Sequence, residues 1–295
     1  MIVLIALLAT AVFVFLLLIA VAWIGMERAL RRPPRAEEHR PADYCLPVEE
    51  VSFPSRDGLR LAGWFVPGGN GATIVLLHGY GRSRAELLPH ADYLHRAGYS
   101  LLMLDFRSRG ESEGKIVTVG VKEPLDVLGT LDYLKSRPDV DSVRIGLQGV
   151  SLGAMAGLIA MAQSPEVKGL VAEGGFTTIR SVLGRGFQHF TRLPPLLLAG
   201  LAEIIGQLHY GLRPQDVQPI RELAKINPRS IFFIHGLEDD LIPPEESRRL
   251  YEAARGGREL WLVPEAAHAR AIEAAPEEYQ RRVLAFWERC LGDGG

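Results

Sequence analysis

The chain has 295 residues, 47% of them hydrophobic and 23% charged, with a formal net charge of −2. That length suits one large domain with a sizeable core, and the near-neutral balance excludes a general nucleic-acid binder. Cys45 and Cys290 are too few and too far apart for a disulfide framework or a zinc site, so both read as reduced thiols.

The amino end stands apart from the rest. No residue from Ile2 to Gly25 is charged, and a helix of that length rises about 36 Å, enough to cross a hydrocarbon core with some tilt. A cleaved signal peptide is the rival reading, with Ala20-Val21-Ala22 as its small-residue site. Against it, no basic residue precedes the run and the run is long. Residues 1–25 are therefore expected to form an uncleaved transmembrane anchor. Arg28, Arg31, Arg32 and Arg35 follow it, against Glu27, a bias that leaves the remaining chain in the cytoplasm; the alternative is a secreted protein after cleavage. Residues 26–47, with Pro33, Pro34, Pro41 and Pro47, read as a stiff extended linker.

From residue 48 onward short apolar runs alternate with helical patterns. "VSFPS" and "LRLAGWFV" flank Arg56-Asp57-Gly58 and read as a hairpin. Further strands are expected at 73–79, 99–106, 143–150, 167–174, 230–236 and 259–264, with helices near 84–97, 122–137, 152–163, 244–255 and 276–291. Strands alternating with helices imply a mostly parallel sheet covered on both faces, and the near-continuous apolar character of the strands fits burial on both sides. Residues 179–227 hold no strand candidate. Their length and apolar density read as a helical cap or lid inserted over the active edge, with an oligomer contact or a second membrane surface as the other uses of such an insertion.

Gly149-Val150-Ser151-Leu152-Gly153 stands between the run "VRIGLQGV" and the helical pattern "LGAMAGLIAMA". It is the G-x-S-x-G pattern of a nucleophile elbow, a strand-to-helix turn too tight for side chains beside the serine. A serine hydroxyl needs a base to take its proton and a third group to orient that base. Eight histidines are present. His39 falls in the linker, His90 and His95 in a helix, and His189 and His209 in the insertion, while His78 and His235 end strands directly before glycine. His268 follows the last expected strand, where a base belongs in the chain order serine, acid, histidine. For the acid, Glu238, Asp239 and Asp240 leave the end of a strand in a row, and spacing alone does not choose among them.

These residues resemble the α/β-hydrolase superfamily over roughly 48–292. Four motifs in order carry the resemblance: "LLHGYG", "DFRSRGES", "GVSLG", and "HGLEDDLIP" followed by "AAH". The resemblance implies the α/β-hydrolase fold, with Ser151 as nucleophile, His268 as base, and Asp239, four residues after the histidine of H-G-x-x-D, as acid; Asp240 is the runner-up. It also implies an oxyanion hole formed by the backbone N–H groups of Tyr80 and Leu152, with His78 shaping the loop. Asp105 and Arg107 would pin a second loop, in which Ser108 replaces the glycine more usual after the arginine.

The implied activity is that of a serine hydrolase cleaving acyl esters, with a small-molecule or lipid-like substrate reached from the membrane. The same triad serves serine aminopeptidases, amidases and thioesterases, and a free amino terminus would want an acidic residue in the pocket, for which Glu203 is a lone candidate. A non-catalytic scaffold is the third reading, disfavoured because every triad member is present. No motif asks for a metal or an organic cofactor.

Overall fold

A single sheet sets the position of everything that follows. The computed structural model describes residues 1–31, 39–182, 185 and 195–292. Eight strands are placed among them: β1 (Glu49–Pro54), β2 (Arg60–Val66), β3 (Thr73–Leu77), β4 (Ser100–Asp105), β5 (Ile145–Val150), β6 (Val167–Glu173), β7 (Ser230–Gly236) and β8 (Arg258–Val263). Their order is β1-β2-β4-β3-β5-β6-β7-β8. β1 and β2 pair antiparallel, as do β2 and β4. Every later pairing is parallel. The sheet is thus mostly parallel, with the expected hairpin on one edge.

The helices longer than one turn among the described residues are α1 (Ile2–Leu30), α2 (Leu88–Arg96), α3 (Glu123–Ser136), α4 (Leu152–Gln163), α5 (Pro195–Tyr210), α6 (Pro219–Ile226), α7 (Pro244–Ala253) and α8 (Pro276–Leu291). Side chains alternate across the strands and build two cores. Val75 and Leu77 join Leu131 of α3, Ala154 and Leu158 of α4, Leu223 of α6 and Leu250 of α7. Ile74 and Leu76 join Leu88 and Leu94 of α2 and Tyr279, Val283 and Trp287 of α8. With β3, β4 and β5 buried along their whole length, the sheet is a rigid slab between helical layers.

Where the cap was expected, α5 and α6 are found, and residues 183, 184 and 186–194, including His189, lie outside the described residues. At the amino end α1 continues to Leu30, five residues past the expected anchor boundary. Glu27 and Arg31 sit one turn apart and pair at 2.5 Å, an arrangement that favours helix, so the end of the apolar run does not end the helix. Arg32, Pro33, Pro34 and Arg35 lie outside the described residues, and Pro41–Tyr44 form a 3-10 turn.

The loop after β4 is tied down by charge. Arg107, 3% exposed, holds Asp57 at 2.8 Å and the fully buried Asp126 of α3 at 2.6 Å, while Asp105 accepts the N–H groups of Arg84 and Glu111. Ser108 adopts a φ of 61°, the conformation that accounts for glycine at this place, and its hydroxyl bonds Ile116 O at 2.8 Å. Removing one partner of a buried pair leaves the other charged and desolvated, at a cost of about 3–5 kcal/mol. Arg107→Ala is therefore expected to lower the denaturation midpoint by that equivalent in urea titration, and an unchanged midpoint would show that the loop does not depend on this pair.

Candidate active site

Ser151 lies between the end of β5 and the start of α4 with φ 52° and ψ −113°, a backbone region that side-chain-bearing residues rarely occupy. Its neighbours explain how it is held there. A Cβ at Gly149 would lie 2.5 Å from Gly153 C, and one at Gly153 would lie 2.1 Å from Leu77 O. Only with both glycines does α4 come close enough to β3 and β5 to force the turn. The Ser151 N–H donates to Glu173 O on β6 at 2.7 Å.

Three side chains from three loops then fall in line. Ser151 Oγ is 2.9 Å from His268 Nε2, and His268 Nδ1 is 2.6 Å from Asp239 Oδ2. The serine comes from β5, the carboxylate from the loop after β7 and the imidazole from the loop after β8, all at the carboxyl edge of the parallel strands, where ligands bind in such sheets. Asp239 is buried, whereas Glu238 and Asp240 on either side of it are exposed. Its Oδ1 accepts the N–H groups of Leu241 and Ile242 at 3.0 and 2.8 Å.

His235 is the residue that sequence reasoning missed. It is fully buried at the end of β7; its Nε2 lies 2.9 Å from Ile242 O and 3.1 Å from Asp239 Oδ2, so one N–H is shared between two acceptors. The Ser247 hydroxyl then donates to Nδ1 at 2.7 Å. The spacing His235-x-x-x-Asp239 carried the signal, and its physical content is this contact. Glu173 was also missed: buried beneath the serine, it accepts Ala271 N–H and the Tyr279 hydroxyl, both at 2.9 Å. That ties the chain just after His268 to the sheet. Burial pushes the Glu173 carboxyl up.

On the other side of the serine lies the loop after β3. His78 Nε2 accepts Phe106 N–H at 3.1 Å, so the ring proton sits on Nδ1, which donates to Gly79 O at 2.8 Å. Burial pushes the His78 pKa down to about 4, and the ring is neutral at physiological pH. With the carbonyl of the Gly79–Tyr80 peptide held by His78, its trans N–H, that of Tyr80, points the opposite way. Gly79 N–H is taken up by Glu86 Oε2 at 2.7 Å. Leu152 opens α4, so its N–H has no partner within the helix. Among the described residues no group of three or more His, Cys, Asp or Glu side chains is placed to hold a metal ion. Glu203 lies on α5, paired with Arg180 at 3.0 Å.

An eight-stranded, mostly parallel sheet with a serine on the strand–helix turn and a histidine and an acid on later loops defines an α/β-hydrolase of the serine-hydrolase class. Within that class, the chain belongs to the prolyl oligopeptidase family, whose profile matches residues 91–294. It is similar to the esterase Pf2001 of Pyrococcus furiosus: 32% identical, TM-score 0.76, covering 89% of this chain and 99% of that one. YfhR of Escherichia coli O157:H7 is 27% identical over 247 residues, 81% of this chain and 80% of its own. The fold alone is shared with acylaminoacyl peptidase of Pyrococcus horikoshii, at 22% identity and a TM-score of 0.65, over 85% of this chain and 42% of the peptidase.

The Asp239 carboxyl sits well below the ordinary carboxylate range. Burial opposes its ionisation, but hydrogen bonds from His235 and His268, the His268 charge and the Ile242 N–H outweigh it. A group depressed in the folded state contributes stability above its unfolded pKa, about 3.9, and loses it as pH falls through the folded value. The stability difference between wild type and Asp239→Asn, read by denaturant titration, is expected to be full at pH 7 and to shrink below about pH 4. A difference that does not vary with pH would mean that the carboxylate's charge is not what these donors stabilise.

Proposed function

We propose that this protein is a membrane-anchored serine hydrolase that cleaves acyl esters through an acyl-enzyme on Ser151. The observation that carries the reading is the line from Ser151 Oγ through His268 to Asp239, at 2.9 and 2.6 Å. His268 Nε2 takes the serine proton as Oγ attacks the acyl carbonyl, then returns it to the leaving alcohol. Water enters and attacks the acyl carbon as it gives a proton to the same nitrogen, and that proton passes to Ser151 Oγ as the acyl–Oγ bond breaks and the acid leaves. Asp239, unprotonated throughout, fixes the imidazole with its proton on Nδ1 and stabilises the imidazolium that forms. The tetrahedral oxygen is received by the N–H groups of Tyr80 and Leu152, each donor of this kind being worth about 2.7–4 kcal/mol. The scheme calls on no cofactor.

The ester preference is supported by the likeness to the Pyrococcus furiosus esterase. The family's name favours a second reading, cleavage of an amide at the same serine. Against an aminopeptidase, Glu203 is engaged by Arg180. Membrane attachment is supported by α1, 29 residues with a mean hydropathy of 3.3 over its most apolar window, and Arg28 and Arg31 just beyond the apolar run favour a cytoplasmic hydrolase domain. An apolar cap and a membrane anchor both suit a lipid-like acyl substrate.

The test is labelling of the full-length protein, in detergent micelles, with a fluorophosphonate. Wild type is expected to label and Ser151→Ala not to. His268→Ala and Asp239→Asn are expected to lower kcat on p-nitrophenyl esters by roughly ten-thousandfold or more while the protein stays folded. A folded wild type that takes no label overturns the proposal, and hydrolysis of aminoacyl amides in preference to esters would replace it with the second reading.

A further inference from the structure

The end of α1 does more than connect. At 29 residues the helix is about 43 Å long, against a hydrocarbon thickness of about 30 Å, so its last turns stand clear of a bilayer it crosses. Ala22 and Leu30 are buried, while most of the apolar stretch between Ile2 and Leu17 is exposed. One side of this end lies along α5: the Trp23 and His209 rings are 4.5 Å apart, the Tyr210 hydroxyl bonds Glu27, and Gly206 faces Met26.

The last carbonyls of a helix have no partner inside it, and here the hydrolase domain supplies them. Val117 N–H, from the loop after β4, donates to Leu30 O at 2.9 Å, and the Tyr80 hydroxyl donates to Ala29 O. Tyr80 is the residue whose backbone N–H is assigned to the oxyanion, and a Cβ on its neighbour Gly79 would lie 3.7 Å from Ser151 Cβ. The backbone around this peptide is clamped at Gly79 O by His78 and at Gly79 N by Glu86. The phenol is a third clamp, and of the three it alone reaches outside the hydrolase fold.

We propose that the carboxyl-terminal turn of α1 is a positioning element for the oxyanion hole: Ala29 O, by holding the Tyr80 hydroxyl, fixes the Tyr80 backbone so that its N–H meets the tetrahedral intermediate. The inference rests on the hydrolase reading above. Tyr80 thereby acts twice, its N–H on the reacting oxygen and its side chain as the strut that keeps the N–H in place. The anchor helix is then part of the working site, and turnover depends on how its end is docked as well as on where it holds the enzyme.

Tyr80→Phe removes the hydroxyl and leaves the backbone N–H. In full-length protein in lipid nanodiscs, this change is expected to lower kcat on a p-nitrophenyl ester roughly ten- to a hundredfold, the scale on which a displacement of about 1 Å costs rate, with KM and the melting temperature little changed. The rate of fluorophosphonate labelling should fall in parallel, because the phosphonyl oxygen occupies the same hole. Glu27→Ala, which frees the same helix end from Tyr210 of α5, should act in the same direction. The double variant should lose less than the product of the two. Unchanged kcat and labelling rate in Tyr80→Phe would overturn the proposal, as would a rise in KM alone, which would make the phenol a pocket wall. A wild type without label overturns the hydrolase reading and this one with it, whereas a wild type that labels at the same rate as Tyr80→Phe overturns this one only.

Discussion

The site depends first on how closely α4 lies against β3 and β5. At Gly153 a single added carbon would fall 2.1 Å from Leu77 O, so the helix backbone is in contact with the strand backbone, with no side chain between. That contact holds Ser151 at φ 52°, a conformation costing about 1–3 kcal/mol. The cost is offset by apolar burial: Ala154, Met155, Leu158 and Met161 of α4 are wholly buried against strands that are themselves buried along their length. A turn so supported has no softer arrangement nearby. The serine hydroxyl is lifted clear of the sheet by the same packing that stabilises the fold.

The polar half of the site follows a different logic, that of keeping buried groups satisfied. Asp239 receives Leu241 N–H and Ile242 N–H on one oxygen, and His268 and His235 on the other. With so many donors, a carboxylate stays ionised in surroundings that would otherwise protonate it, and in the proposed role an ionised carboxylate would both hold the imidazole in one tautomer and steady its positive form. The two strand-end histidines do matching work. His78 closes "TIVLLHG" and pins the loop that carries Tyr80, and His235 closes "SIFFIHG" and pins the loop that carries Asp239. Each is wholly or almost wholly buried, each has one ring nitrogen donating and one accepting, and neither is within bonding distance of the serine hydroxyl in the contacts described.

Much of this was legible in the sequence, for reasons that can be named. The buried strands read as nearly continuous apolar runs, and the observed bounds fall within two residues of those expected, because a doubly covered strand admits a polar side chain only where it is bonded, as Gln148 is to Tyr93 and Trp287. Ser151 was legible because its glycines obey a steric demand that leaves few alternatives. The choice of Asp239 over Asp240 was not legible from local pattern, since three adjacent carboxylates look alike until a fourth residue, His235, selects the one that turns inward. The length of α1 was hidden for the converse reason. Charge at Glu27 and Arg28 marks where the apolar run ends, but the helix continues through a Glu27–Arg31 pair to Leu30, where its free carbonyls meet donors from loops more than fifty residues away in the chain. Docking of that kind leaves no periodic trace.

Those donors fix the direction in which the site faces. Tyr80 follows β3 and Val117 lies in the loop after β4, so both belong to the carboxyl edge of the sheet, the edge that carries Ser151, Asp239 and His268. A helix held only through a flexible linker would leave that edge free to turn toward or away from a bilayer. One whose final carbonyls are bonded to the edge itself has its orientation fixed. If α1 crosses a membrane, as proposed, the reacting edge is the side of the domain nearest the lipid. The exposed Ile204 and Leu208 on α5, the helix lying along α1, then stand in the same region. An apolar acyl chain would meet the cap without crossing open water, and the chemistry expected at Ser151 and the position imposed by α1 would answer the same need.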